Sequence, residues 1–92
     1  EHDLSYSRID DYTYIFEAKI SLKDFFKAIH IEDTEIFENV KGDSETLAGL
    51  LLELAKKFPR KGQKIRFQDY TFTVEELEQM RIKQVKVELP KQ

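Results

Sequence analysis

Residues 12–20, YTYIFEAKI, alternate in polarity, with Tyr12, Tyr14, Phe16, Ala18 and Ile20 on one face and Thr13, Ile15, Glu17 and Lys19 on the other. Aromatic and β-branched residues at a period of two predict a half-buried strand. An earlier strand around Leu4–Ile9 is expected to pair with it through a turn at Asp10-Asp11, because aspartates hydrogen-bond their own backbone in turns. The period then changes. Leu22, Phe25, Phe26 and Ile29 recur at i, i+3, i+4 and i+7, the apolar stripe of an amphipathic helix. Ser21 is placed to cap it, with Asp24 in the position of a capping-box acid. At about 1.5–3 kcal/mol per buried large side chain, the stripe supplies several kcal/mol once covered.

Residues 30–43 read as a connection of acidic and small residues ending in the breaker Gly42. Asp43 or Ser44 is expected to cap a second helix with the stripe Leu47, Leu50, Leu51, Leu54 and Phe58, and Pro59 and Gly62 stop it. Strand patterns follow at 63–67, at 70–77 after a turn near Gln68-Asp69, and at 81–89. In the last of these Val85, Val87 and Leu89 alternate while Ile82 falls out of phase, which predicts a bulge or a late strand start. The predicted order is β-β-α-α-β-β-β. It makes an α+β fold, a small and mostly antiparallel sheet packed by two helices.

Length and composition narrow the class. At 92 residues the chain holds one domain, 1–92, with 1–4 read as a linker and 90–92 as a tail. Hydrophobic residues at 40% and charged residues at 36% fit a compact globule with a solvated exterior. No apolar run approaches the ~20 residues of a membrane span, and no stretch reads as a signal peptide. A start at Glu1 without methionine points to a piece of a longer protein that is soluble as a fragment. The absence of cysteine excludes disulfides, thiolate metal sites and a cysteine nucleophile. A net charge of −3 argues against a nucleic-acid partner.

Three constellations remain. The two histidines are His2, near the terminus, and His30, at the end of the first helix, where the helix dipole favours a cation. With Ser21 and Ser44 explained as caps, no nucleophile–base pair is left, and the chain is not expected to be an enzyme. The acidic stretch Glu32, Asp33, Glu35, Glu38, Asp43 and Glu45 offers hard oxygen ligands for a divalent cation, yet lacks the spacing of a calcium loop. The basic residues Lys56, Lys57, Arg60, Lys61, Lys64 and Arg66 sit in eleven residues with no acid. Arg81, Lys83 and Lys86 follow on a strand expected near Arg66. They are either a solvated face or a contact with an anionic surface, such as lipid headgroups or an acidic neighbouring domain. Three glycines cannot build a pyrophosphate cradle, so neither flavin nor nucleotide binding has a motif.

The order of these elements resembles the transporter-associated domain of the CorC/HlyC family. ETLAGLLLEL (45–54) resembles its helix opening, FPRKGQKIRF (58–67) its Pro-x-x-Gly turn into a strand, and YTFTVEELEQMRIKQVKVE (70–88) its final hairpin. IDDYTYIFEAKISLKDFF (9–26) is similar to its opening hairpin and helix. The chain departs from the pattern at Tyr12, Ala18, Ala48 and the Glu78-Gln79-Met80 turn, where the family favours glycine, and keeps Gly49.

The resemblance implies a fold like the FAD-binding/transporter-associated domain and a parent protein with a membrane domain and a nucleotide-binding CBS-domain pair. That parent belongs with magnesium and cobalt efflux or haemolysin-like proteins, and the acidic, aromatic opening looks like a Bacteroidetes branch associated with gliding motility. The implied role is a non-catalytic regulatory or assembly module at the cytoplasmic face of the bacterial inner membrane, modulating ion transport. Its implied partners are the CBS-domain pair and membrane domain of the same chain, a second copy in a homodimer, or an anionic membrane surface. The rival reading is a ligand-binding domain for flavin, nucleotide or divalent metal. FAD enters by fold analogy alone, which is a weak warrant, so no cofactor is expected.

Overall fold

A computed structural model of the chain describes residues 6–90. The predicted linker, Leu4, His2 and residues 91–92 lie outside the described residues. Five strands, β1 (Tyr6–Asp10), β2 (Thr13–Glu17), β3 (Lys64–Phe67), β4 (Tyr70–Glu78) and β5 (Arg81–Glu88), form one antiparallel sheet in the order β1-β2-β5-β4-β3. Two longer helices, α1 (Leu22–Ala28) and α3 (Leu47–Ala55), and a single turn, α2 (Glu35–Glu38), complete the α+β fold.

The predicted face of β2 is the buried one. Tyr14, Phe16, Ala18 and Ile20 join Phe72, Val74, Val85 and Val87 under Leu22, Phe25, Leu47, Leu50 and Leu51 of the helices. The alternation outlasts the strand itself, which ends at Glu17. Its continuation ties down both helix starts: Leu47 donates to the Ile20 carbonyl at 3.0 Å, Ala48 to that of Ala18 at 2.9 Å, and Leu22 to that of Glu45 at 2.9 Å. Ser21 caps α1 as expected, its hydroxyl accepting from the Asp24 N–H at 3.1 Å. In the first turn the Asp10 carboxylate accepts from the Tyr12 N–H at 2.9 Å, the aspartate device expected there.

Four local expectations change. The connection contains α2, whose Phe37 is fully buried and rings with Phe25, Phe26, Phe67, Tyr70 and Phe72. One turn of helix carries too few residues to show a period, so the pattern could not reveal it. The cap of α3 is Thr46, not Asp43 or Ser44; its hydroxyl accepts from the Gly49 N–H at 3.2 Å. Ser44 instead packs against Gly49, where an added Cβ would lie 2.9 Å from it.

Phe58 leaves the buried stripe because Lys56 adopts a left-handed conformation (φ 69°) and ends the helix. Finally, His30 is itself left-handed (φ 59°), and its N–H donates to the Lys27 carbonyl at 3.1 Å. Its role is to turn the backbone at the end of α1. The out-of-phase Ile82 is explained by compensating irregularities: Val74 pairs with Val85, Glu76 with Gln84 and Leu77 with Ile82, so Ile82, Val85 and Val87 all reach the core.

Candidate functional site

The helices cover one face of the sheet and leave the other uncovered. The register places Ser7, Ile15, Lys86, Thr73 and Lys64 in one row across that open face, and Thr13, Glu88, Thr71 and Arg66 in the next. With strands about 4.8 Å apart, Lys64 and Lys86 stand about 10 Å from each other over the buried Thr73. Arg66 has Thr71 and then Glu88 across the strands, and Arg81 sits at the far end of β5, paired in register with Glu78.

The basic candidates therefore separate. Lys64, Arg66 and Lys86 lie on the open sheet face, while Arg81 and Lys83 line a groove described below. Lys56 and Lys57 follow α3, and Arg60 and Lys61 precede β3, all exposed. Lys61 approaches Glu76 at 3.9 Å in the open, where such a pair is worth at most about 1 kcal/mol.

The acidic candidates Glu32, Asp33, Glu35 and Glu38 run along the surface around α2. Asp33 accepts from the Glu35 N–H at 3.1 Å and Glu38 from the Thr34 hydroxyl at 3.3 Å, so two of them serve the local turn. Among the described residues no three His, Asp or Glu side chains are grouped to hold a metal ion. Asp10, Asp11 and Glu88 share a small hollow with Tyr12, Thr13 and Leu89.

A concavity of about 550 Å³ lies between α3 and the β4–β5 hairpin. Thr46, Ala48, Leu52 and Phe58 form one wall, Met80 to Gln84 the other, and Glu17, Lys19 and Glu78 complete the rim. Leu52 (40% exposed), Phe58 (37%) and Met80 (80%) all line it, and Ile9 is the other large apolar residue exposed among the described ones. On the rim Lys19 approaches Glu17 at 3.7 Å and Lys83 approaches Glu78 at 3.6 Å, while Arg81 makes no ion pair among the described residues. Sequence reasoning missed this groove. The available signal was apolar residues where the fold asks for polar ones: Leu52 off the helix stripe and Met80 in a two-residue turn.

One titrating group is displaced. Tyr70, packed against Phe37 and Phe72, has its pKa pushed above 10.0, mainly by burial and secondarily by the neighbouring Asp69 carboxylate. It is partly buried and packs against the core. Among the described residues, no helix is long and apolar enough to cross a membrane.

Residues 7–91 match the family model of the CorC/HlyC transporter associated domain. The magnesium and cobalt efflux protein CorC of Escherichia coli (strain K12) is 28% identical over 98% of this chain, which spans only 29% of that protein. A solved transporter associated domain from a CBS domain protein of Porphyromonas gingivalis is 27% identical, with a TM-score of 0.84 over 97% of this chain and 100% of that one. A hemolysin domain from Enterococcus faecalis V583 shares the fold at 20% identity, with a TM-score of 0.76 over 95% of this chain and 99% of that one. So does the domain of a Xylella fastidiosa Temecula1 hemolysin solved with Mg²⁺ and Mn²⁺, at 13% identity and a TM-score of 0.74 over 95% and 99% of the two chains.

Proposed function

The chain belongs to the CorC/HlyC family of transporter-associated domains, and from that premise we propose that it is a regulatory and assembly module of a longer, magnesium and cobalt efflux-type membrane protein. Domains of this family are non-catalytic, so the module acts by where it docks. Its partners in this reading are the CBS-domain pair and membrane domain of the same parent chain, at the cytoplasmic face of the inner membrane. A second copy is the other protein partner to examine. Docking biases the parent between conformational states, and it shifts ion transport only by as much as it binds one state better than the other.

The observation that carries the reading is one of proportion. Nearly the whole chain aligns with a curated efflux protein, yet it spans less than a third of that protein's length. A CBS-domain parent is supported by the Porphyromonas gingivalis relative. The test is to delete residues 1–92 from the full-length parent and measure cobalt and magnesium efflux from cells carrying equal amounts of the membrane protein. The expected result is a changed rate or a changed response to ion load with insertion intact. Unchanged transport at every ion level would overturn the proposal.

The ligand-binding alternative draws on the Xylella fastidiosa hemolysin domain, which was solved with Mg²⁺ and Mn²⁺. At 13% identity that likeness speaks for the fold alone. Amide chemical shifts of this domain, titrated with Mg²⁺, Co²⁺, FAD and AMP, separate the readings. Saturable shifts over 32–45 would favour a metal, and shifts over 12–16 with FAD a flavin.

A further inference from the structure

We propose that the groove between α3 and the β4–β5 hairpin is the docking surface of this domain. Its occupant is an amphipathic protein segment of the parent chain, with two or three apolar anchors and a carboxylate for Arg81. The proposal rests on the reading of the domain as a module of a longer protein.

Three apolar residues of the groove, Leu52, Phe58 and Met80, stand outside the core cluster. Leu52 points away from the Leu47–Leu50–Leu51 stripe that α3 buries, and it is 40% exposed. Met80 sits in the tight turn after Gln79, whose φ of 48° would be better served by glycine or asparagine. Phe58 stands clear of the core once Lys56 has ended the helix. Three exposed apolar side chains on one concavity mark an interaction site more than three scattered ones would.

Shape and charge select the occupant. The buried Ile82 forms part of the floor and the small Ala48 part of the wall. A flat lipid leaflet would meet Met80 at the hairpin tip and leave these two uncovered, whereas side chains of a helix enter such a groove. Arg81 is exposed and has no ion pair among the described residues, while the two lysines of the rim are each beside a glutamate. In the stretch joining Leu52 to Phe58, Lys56 and Lys57 outnumber the one acid, Glu53, so the surroundings add net positive charge. An acidic partner segment complements this rim. A groove this small cannot hold a free partner tightly, since stable interfaces bury about 1,200 Å² or more. A segment of the same polypeptide is held at millimolar effective concentration and needs no such area.

The test uses the full-length parent in native membranes with a photo-crosslinking amino acid at Met80, and for reference at Lys64 on the open sheet face. The expected result is a crosslink from position 80 to another segment of the parent, mapped by mass spectrometry to apolar residues at helical spacing beside an Asp or Glu. Phe58→Ser should lower its yield about tenfold and Arg81→Glu about fivefold, with the fold checked by circular dichroism. Crosslinks from position 80 to lipid alone, to a second copy alone, or to nothing overturn the proposal. So does a yield indifferent to both substitutions. If position 64 crosslinks to the parent while position 80 does not, the groove is refuted and the module reading survives. If neither does, and deletion of the domain leaves transport unchanged, both fall.

Discussion

Phe37→Ala tests whether the one-turn helix α2 is a structural plug or a decoration of the loop. Phe37 is fully buried and has five aromatic neighbours, with ring centroids 5.0 Å from Tyr70, 5.3 Å from Phe67, 5.6 Å from Phe26 and 6.3 Å from both Phe25 and Phe72. Truncating a buried phenylalanine costs about 3–5 kcal/mol, and each well-placed aromatic pair adds about 0.5–1.5 kcal/mol beyond burial. A loss near 4 kcal/mol is therefore expected. A chain of 92 residues has a total stability of about 5–14 kcal/mol, so the variant should be close to its folding limit. Equilibrium urea unfolding followed by circular dichroism reads this directly. With a slope of about 1–2 kcal/mol/M, the midpoint should fall by about 2–4 M with little change in slope. Phe37→Leu, which keeps most of the volume, should lose less than half as much. A loss below about 1 kcal/mol for Phe37→Ala would refute the reasoning, because it would mean that the sheet and the two longer helices close without α2.

Lys56→Gly should raise stability by about 1 kcal/mol, or about 4–8 °C in melting temperature, because the left-handed cap (φ 69°) penalises a side chain; an unchanged melting temperature would contradict it. Gly49→Ala should destabilise by about 1–2 kcal/mol despite the better helix propensity of alanine, since the new Cβ meets Ser44 at 2.9 Å. Adding Ser44→Gly should recover most of that loss in a double-mutant cycle. Tyr70 has its pKa raised in the folded state by burial and then by Asp69. The unfolded chain therefore loses this proton first, and stability present below pH 10 falls as pH rises through the folded value. Tyr70→Phe should flatten that alkaline limb relative to the parent in urea titrations. Superimposable limbs would show that Tyr70 does not contribute.

The elements with several turns or several alternations were legible. The face of β2 could be assigned because five residues at a period of two leave a single way to bury aromatics. The stripes of α1 and α3 were equally plain, as was the cap at Ser21. What failed was local and short. Phe37 stands in a stretch of acids with too little helix to show a period. Ser44 and Thr46 are both acceptable caps, and only the backbone path past Gly49 chooses between them. Phe58 fits the stripe of α3 by spacing, but the left-handed Lys56 removes it from the helix. The candidate site was less legible than the core. The basic run looked continuous in sequence because spacing along a chain says nothing about which face of a strand, or which end of a hairpin, a lysine occupies.

The sequence by itself determined the α+β class, the order of its strands and longer helices, and the buried faces of β2, α1, α3 and β5, because hydrophobic burial acts residue by residue along each period. Tertiary structure alone decided the strand order β1-β2-β5-β4-β3, the separation of Lys64 and Arg66 from Arg81 and Lys83, and the meeting of Leu52, Phe58 and Met80 around one groove. These depend on contacts between residues far apart in the chain. The pairing of β2 with β5, and the turn of backbone at Lys56, create those contacts only when the whole core closes.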